Sequence, residues 1–288
     1  MTQVETSTTF GEYRRIDVRP MAGGLGAELH GADLRELDDE LVTEIRRAWL
    51  EYLVVVFRGQ DLDADQYMAF ARRIGEPVEY PFVSGLDGYP EIIAVAKLEN
   101  ETLNFGGIWH SDTSYLEVPP MGTMLLAREV PPYGGDTMFA NCYLAYENLS
   151  DGMREVLDGL QAVNSSALAD VSKTREDRRR DAGTDDEDLE FEATHPVVRT
   201  HPETGRKSLY VNVAHTVRFA SMTEAESTPI LQYLYEQQVR PEHTVRVRWD
   251  EGTLVFWDNR CALHYPVNDY HGHRRVMHRI TFAGDEPR

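Results

Sequence analysis

The sequence predicts a mainly β fold with flanking helices, built on a double-stranded β-helix (the jelly roll of cupin-like proteins). From position 121 onward, short β-branched and aromatic runs alternate with turns rich in Gly and Pro, such as VPPYGGD and HPETGR. Many short strands joined by tight turns are typical of a jelly roll. Between these runs lie a few stretches with helical spacing of apolar residues, which we expect to pack on the outside.

The expected elements begin with a helix at 38–50, where apolar residues recur at helical spacing after an acidic first turn. A buried strand at 52–57 follows, then a helix at 63–75 that has an Asp cap and a closing Gly, then a strand at 91–96. The later part predicts strands at 123–128, 136–140, 195–200, 209–213, 244–249, 253–257, 261–265 and 275–283, and helices at 151–160 and 223–239.

The charge of the chain limits the partners it can bind. Lys and Arg number 29 against 49 Asp and Glu, so the formal net charge is −20. Such an excess of acid repels phosphate backbones and anionic lipid, so neither nucleic acid nor a membrane is expected as a partner. Two cysteines are too few for a disulfide framework, and neither a signal peptide nor a membrane span is visible, so a cytoplasmic protein is predicted.

The 288 residues are expected to form a single domain, 1–288, since no internal repeat or linker divides them. One segment, 169–192, is highly charged and nearly free of large apolar residues. It is interpreted either as a solvated insertion or as a lid over an active site, because long loops inside compact domains are often lids. The oligomeric state stays open, a homo-oligomer being one alternative.

A short motif, GGIWHSDTSY at 106–115, places a histidine and a carboxylate two positions apart. The motif is expected to run from a loop into a strand, where residues i and i+2 share a face, so His110 and Asp112 would point at one spot. His264 ends a predicted strand far along the chain and offers a third ligand. Two histidines and one carboxylate form the facial triad of non-haem Fe(II) oxygenases, and jelly rolls hold such sites in their mouths.

Three motifs in this order, WHSDTSY, GGDT and WDNRCALHYPVNDYHGHRRVMHR, resemble those of the taurine and 2,4-dichlorophenoxyacetate dioxygenases. The resemblance runs from about Val18 to the last strand. It implies an Fe(II)- and 2-oxoglutarate-dependent oxygenase that uses O₂ to hydroxylate a small, anionic organic substrate and releases succinate and CO₂. If the hydroxylated carbon bears a sulfonate, a sulfate ester or an aryl ether oxygen, the C–S or C–O bond is then cleaved.

The resemblance also implies roles for individual residues. His110, Asp112 and His264 become the iron ligands, while Thr137 and Arg275 bind the tail carboxylate of 2-oxoglutarate. Arg279 would meet an anionic substrate or help to hold the cosubstrate. These residue types suit the chemistry, because ferrous iron accepts imidazole and carboxylate, and a guanidinium grips a carboxylate in bidentate fashion. On one strand, Arg275 and Arg279 would face the same side.

The substrate pocket is much less defined by the sequence. The taurine-cleaving members carry a histidine where this chain has Glu76, and a carboxylate there would disfavour a sulfonate. The WHSDTSY motif is nearer to the aryloxyacetate-type members. The remaining candidates to line the pocket are Tyr80, Asn104 and His215.

Two other functions fit the same ligands. One is a non-catalytic metal-binding sensor on the same jelly roll, and the other is a zinc hydrolase that uses the three ligands around a water. Arg275 and Thr137 favour the oxygenase, because a hydrolase needs no clamp for a tail carboxylate beyond the metal.

Overall fold

A computed structural model of the chain describes residues 12–81, 83–104, 106–168 and 190–288. The strands are β1 (Asp17–Pro20), β2 (Ala27–His30), β3 (Val54–Phe57), β4 (Pro77–Val78), β5 (Ile93–Lys97), β6 (Gly122–Glu129), β7 (Thr137–Asn141), β8 (Gln161–Ser165), β9 (Glu192–Pro196), β10 (Val198–Thr200), β11 (Lys207–Leu209), β12 (Thr216–Phe219), β13 (Thr244–Val247), β14 (Leu254–Asp258), β15 (Ala262–Pro266) and β16 (Arg275–Phe282). The helices are α1 (Asp39–Tyr52), α2 (Ala64–Ile74), α3 (Cys142–Glu147), α4 (Asp151–Leu157) and α5 (Glu224–Gln238).

Two mainly antiparallel sheets form the centre of the fold, and within the larger one β2 and β3 are parallel. An eight-stranded sheet runs in the order β1-β2-β3-β14-β6-β16-β4, and β5 also pairs with β16. A three-stranded sheet, β13-β7-β15, lies against it, and a buried apolar cluster that includes Val56, Trp257 and Phe139 fills the space between the two. The predicted mainly β, jelly-roll type of fold is therefore confirmed.

Helices α1 and α2 cover the outer face of the large sheet. Because side chains alternate along a strand, Val55 and Phe57 of β3 turn to this face, while Val54 and Val56 turn to the small sheet. Trp49 of α1 is fully buried, and its ring stacks on Phe256 with 4.2 Å between centroids. Helices α1 and α2 therefore lie on the outside of the two central sheets.

Side-chain caps begin the helices where the sequence predicts them. Asp38 accepts a hydrogen bond from the Leu41 amide at the start of α1. At the start of α2, Asp63 and Gln66 form a reciprocal capping box. Both helices therefore begin within one residue of the expected position.

Other elements differ from the expectation. The strand predicted at 209–213 ends at Leu209, because Asn212 closes a side-chain-bonded turn with His215 and Thr216. Strands β1, β2, β4, β8 and β12 and the helix α3 were not predicted, because none of their sequences has a continuous apolar run or a long apolar period. The charged segment interpreted as an insertion or a lid falls largely on residues 169–189, and these lie outside the described part of the chain.

Both cysteines are buried and free. Cys142 begins α3 and Cys261 precedes β15, and the Cys142 amide donates to the Cys261 carbonyl at 2.9 Å. Burial raises the pKa of Cys142 to about 12 and that of Cys261 well above the ordinary value of a thiol.

Among the described residues, no helix is long and apolar enough to cross a membrane.

The packing of α1 on the large sheet makes a prediction for stability. Trp49→Ala should lower the free energy of unfolding by about 3–5 kcal/mol, because it leaves a cavity beneath the helix. Urea unfolding followed by circular dichroism measures the change. The control Val156→Ala, at an exposed position of α4, should stay within about 0.5 kcal/mol of the wild type. Equal midpoints for Trp49→Ala and the wild type would contradict this packing.

Candidate active site

Two histidines from distant parts of the chain are joined directly through their backbones. The His110 amide donates to the His264 carbonyl at 3.0 Å, and the His264 amide donates to the His110 carbonyl at 2.8 Å. This is an isolated antiparallel bridge, with His264 inside β15 and His110 in a loop. The two side chains therefore leave the backbone side by side, with their ring centroids 4.0 Å apart.

Asp112 lies on a turn and not on the strand expected from the His-x-Asp spacing. Directly after it, Thr113 has a φ of 42°, in the left-handed region that β-branched residues rarely adopt. The Leu116 amide closes the turn on the Thr113 carbonyl at 2.9 Å. The strand prediction is wrong here, because the chain bends immediately after the bridge. The turn nevertheless brings the carboxylate to the same spot.

The three side chains His110, Asp112 and His264 meet at one buried point. Each histidine Nε2 lies 3.8 Å from Oδ1 of Asp112, and the exposed fraction of each residue is 7% or less. Their ligand atoms all lie within 4.8 Å of one another. That spacing lets one metal ion contact all three, as the sequence predicts.

The two imidazole rings are neutral, and each directs a nitrogen lone pair toward this point. Nδ1 of His110 donates a hydrogen bond to the Ile108 carbonyl at 2.7 Å. Nε2 of the same ring is therefore unprotonated and offers its lone pair. His264 is oriented by packing, its ring lying 4.8 Å from the ring of Trp257 and 6.2 Å from that of Phe139. Burial lowers the pKa of both histidines, which favours the neutral ligand form.

The second oxygen of Asp112 is held by three neighbours. Oδ2 accepts from Oγ1 of Thr123 at 2.6 Å and from Nδ2 of Asn259 at 3.4 Å, and it pairs with Nη2 of Arg279 at 2.9 Å. Burial alone would raise the pKa of Asp112, but the charge of Arg279 and these partners keep it below its usual range. Oδ1 is thereby left free for a metal.

Two of these supports, Thr123 and Asn259, were not among the residues predicted from the sequence. Asn259 also accepts from Nε1 of Trp257 at 2.9 Å and donates to Oγ1 of Thr123. Asn259 stands in the WDNR run already noted, but no spacing rule links it to an aspartate so far away in the chain.

Arg275 and Thr137 lie near each other at the inner face of the two sheets. The guanidinium of Arg275 is buried at 6% exposure, and its Nε and Nη2 have no hydrogen-bond partner among the described residues. Burial lowers its pKa, as expected for a cation taken from water without a full counter-charge. Trp249 touches both residues: its ring lies 5.5 Å from the guanidinium, and its Nε1 donates to Oγ1 of Thr137 at 3.0 Å.

The three pocket candidates occupy different positions. Tyr80 is buried, and the guanidinium of Arg279 lies 4.7 Å from its ring centroid. The ring of His215 is 6.3 Å from that of His110, and its Nδ1 bonds the Ser114 hydroxyl at 2.9 Å. Both therefore lie around the ligand group.

Asn104 connects two loops. The side-chain nitrogen Nδ2 of Asn104 donates to the Pro266 carbonyl at 3.3 Å, and its side-chain oxygen Oδ1 accepts from the Tyr270 hydroxyl at 2.9 Å. Glu76 is exposed just before β4. Its carboxylate is therefore not placed to repel an anion in the site, contrary to the expectation from the sequence.

A second buried cluster, His201, Asp258 and Cys261, has metal-like composition but a structural role. His201 Nε2 bonds Asp258 at 3.0 Å, while its Nδ1 accepts the amides of residues 203 and 204. Arg260 pairs with both oxygens of Asp258 at 2.9 and 2.7 Å. Both ring nitrogens of His201 and both oxygens of Asp258 are thus engaged in hydrogen bonds, and burial raises the pKa of Cys261, which keeps it a thiol and a poor ligand.

Comparison with known proteins identifies the family that carries this arrangement. Residues 17–281 match the family described as taurine catabolism dioxygenase TauD, TfdA family. The chain belongs to this family. The family, the enzyme class and the reactants Fe(II), 2-oxoglutarate and O₂ expected from the sequence are thus confirmed.

Several members are similar over nearly the full chain. The α-ketoglutarate-dependent sulfate ester dioxygenase of Pseudomonas putida is 36% identical over 94% of this chain and 91% of its own length. The alkylsulfatase of Acinetobacter baylyi is 35% identical over 96% and 89%. A crystal structure of a taurine dioxygenase from Burkholderia xenovorans superposes with a TM-score of 0.81 at 36% identity, covering 95% of this chain and 93% of that one.

The two buried clusters predict how much metal the protein binds. Anaerobic titration with Fe(II) or Co(II) should load one ion per chain. His110→Ala should abolish this binding without unfolding the protein. His201→Ala should keep one ion per chain and instead lower the melting temperature, because it leaves Asp258 and two backbone amides without partners. Loss of metal binding in His201→Ala, with its melting temperature unchanged, would reverse the assignment.

Proposed function

We propose that the chain is an Fe(II)- and 2-oxoglutarate-dependent dioxygenase in which His110, Asp112 and His264 hold the iron. Arg275 and Thr137 hold the tail carboxylate of 2-oxoglutarate. The observation that supports this most strongly is the buried guanidinium of Arg275, whose Nε and Nη2 have no hydrogen-bond partner among the described residues, on the strand that also carries Arg279, the partner of Asp112. The match over residues 17–281 supports one catalytic domain.

The side chains present fit both reactants. Two neutral imidazoles and one carboxylate suit ferrous iron and leave coordination positions for a 2-oxo acid and O₂. When bound, the iron couples oxidative decarboxylation of the 2-oxo acid to hydroxylation of the organic substrate. Arg275 supplies parallel N–H donors to a carboxylate, and the Thr137 hydroxyl adds a neutral hydrogen bond.

Arg279 has a double role in this proposal. It keeps Asp112 ionised and turns Oδ1 of that carboxylate toward the metal, through the 2.9 Å pair with Oδ2. Its Nε has no hydrogen-bond partner among the described residues, so the same guanidinium also offers an N–H to an anionic substrate. Tyr80, packed on its face, and His215 shape the space for that substrate.

We propose an organic sulfate ester as the substrate class. With Arg275 assigned to 2-oxoglutarate, the Nε–H of the buried Arg279 guanidinium is left to recognise a small anionic substrate. Two relatives are named for sulfate esters. Hydroxylation of the carbon that bears the sulfate oxygen yields a product that collapses to a carbonyl compound and hydrogen sulfate, which breaks the C–O bond.

The clamp on the tail carboxylate makes a quantitative prediction. Losing one partner of a buried, charge-assisted pair costs roughly 2–5 kcal/mol, and about 1.4 kcal/mol is a factor of ten. Arg275→Ala should therefore raise the 2-oxoglutarate concentration needed for half-maximal succinate formation by roughly thirty-fold or more. Arg275→Lys should restore only part of this, since an ammonium cannot reproduce the planar fork.

Arg274 is a matched control for Arg275. It is the adjacent residue, its side chain is about half exposed, and it pairs only with Glu129 on the surface. Arg274→Ala should leave the 2-oxoglutarate dependence unchanged. If Arg275→Ala behaves like this control, the clamp is assigned to the wrong residue.

The substrate class is tested by pairs of compounds that differ only in the anion. A linear alkyl sulfate should stimulate succinate formation and release sulfate in equal amounts, while the alcohol of the same chain length should do neither. Arg279→Ala should weaken the response to the alkyl sulfate because the substrate loses one cation. Equal stimulation by the ester and its alcohol would contradict an anionic substrate.

A further inference from the structure

One buried lysine, Lys97, has no role in the site described so far. It ends strand β5, and only 3% of it is exposed. Its Nζ has no hydrogen-bond partner in the described part of the chain, and no carboxylate pairs with it there. A buried ammonium without a counter-ion is costly to retain, and lysines are almost never fully buried unless they are paired. A missing anionic ligand would account for it.

The register of the sheet places Lys97 directly opposite Arg275. The two are Cα partners in the antiparallel pairing of β5 with β16. Residues directly opposite in such a pair project from the same face of the sheet. Both side chains are buried, so both turn to the inner face. Lys97 and Arg275 are therefore two adjacent, buried cations on this face of the sheet.

A single tyrosine lies between these cations and the loops around the pocket. Nζ of Lys97 is 4.3 Å from the ring centroid of Tyr270, and Tyr270 also forms a side-chain hydrogen bond with the Arg275 guanidinium. The Tyr270 hydroxyl donates to Asn104, and Asn268 donates to the Thr102 carbonyl at 2.8 Å. The loops at 102–104 and 266–270 are thereby joined beside the pocket, where they restrict access of water to both cations.

Contact with the tyrosine ring does not replace a counter-ion. A ring face attracts an ammonium, but it neither accepts its hydrogen bonds as a carboxylate does nor cancels its charge. Asp136, the acid whose charge acts on Arg275, forms its ion pair with Arg246 at 2.6 Å. The two neighbouring cations are thus left to an anion from outside the chain.

We propose that Lys97 is a second cation for the tail carboxylate of 2-oxoglutarate, which it binds together with Arg275. This inference rests on the proposed function, since it assumes that the pocket of Arg275 and Thr137 holds the cosubstrate. Arg275 supplies the planar fork, and Lys97 supplies a point charge from the opposite strand. The pair selects a 2-oxo acid with a charged tail over one of equal length with an apolar tail.

The test compares two ligands that differ only in the tail. Anaerobic Fe(II) protein is titrated with 2-oxoglutarate and with 2-oxopentanoate, which has the same five-carbon chain but a methyl group in place of the tail carboxylate. The visible charge-transfer band reports binding, so no turnover is needed. Lys97→Met keeps the length of the side chain and removes its charge. Lys207→Met, at a half-exposed lysine of β11, is the control.

Lys97→Met should weaken 2-oxoglutarate binding by about tenfold or more, corresponding to about 1.4 kcal/mol. Binding of 2-oxopentanoate should change by less than about twofold, and Lys207→Met should alter neither ligand. The melting temperature of the metal-free Lys97→Met protein should equal or exceed that of the wild type, because an uncompensated buried charge is removed.

Three results would overturn the inference. An unchanged preference for 2-oxoglutarate, with a lower melting temperature, would make Lys97 a structural residue. Equal weakening of both 2-oxo acids would place its effect away from the tail. An effect confined to the alkyl sulfate dependence would assign it to the organic substrate. If the wild type itself shows no band with 2-oxoglutarate, the proposed function fails, and this inference fails with it.

Discussion

The reciprocal backbone hydrogen bonds between His110 and His264 fix the geometry on which the site depends. One histidine precedes most of the β structure, and the other belongs to β15, so the bridge forms only when the small sheet has been assembled. β15 is itself held by β7, on which Thr137 stands. The bridge thus fixes the two histidines relative to each other and, through β7, relative to Thr137, while the turn at Thr113 places Asp112 separately.

Electrostatics complete what the backbone begins. Asp112 is stable as a buried carboxylate because Thr123, Asn259 and Arg279 all approach one of its oxygens, leaving the other for a metal. The inner face of β16 contributes both Arg275 and Arg279, since residues four apart on a strand face the same side. The chain as a whole is acidic, whereas β16 places two positively charged side chains in the interior. The cations proposed to bind ligands are therefore buried and separate from the excess of acidic residues.

The sequence predicts the metal site better than it predicts the pocket around it. The residue types and order of His110, Asp112 and His264 predict a set of metal ligands, and the structure brings these three side chains together, although a turn at Thr113 replaces the strand expected for Asp112. Thr123, Asn259 and Lys97 were missed because their significance depends on cross-strand neighbours, which a single sequence does not display. Strands such as β6, β14 and β16 and the capped helices were predicted because their signal is local, an apolar run or a cap, whereas β4 and β8 lack such a run and depend on pairing with their neighbours.

The burial of both cysteines bears on the lifetime of a protein that consumes O₂. Thiolates, and not thiols, are the forms that peroxide and other oxygen by-products attack readily. With a pKa of about 12, the Cys142 thiol stays protonated at neutral pH, and burial also raises the pKa of Cys261, three positions before His264, well above that of a free thiol. Neither sulfur reaches solvent, where a second chain or a small disulfide could form a mixed disulfide. Both cysteines are thus held as unreactive thiols. Oxidative inactivation during turnover should first affect side chains that are more accessible to solvent.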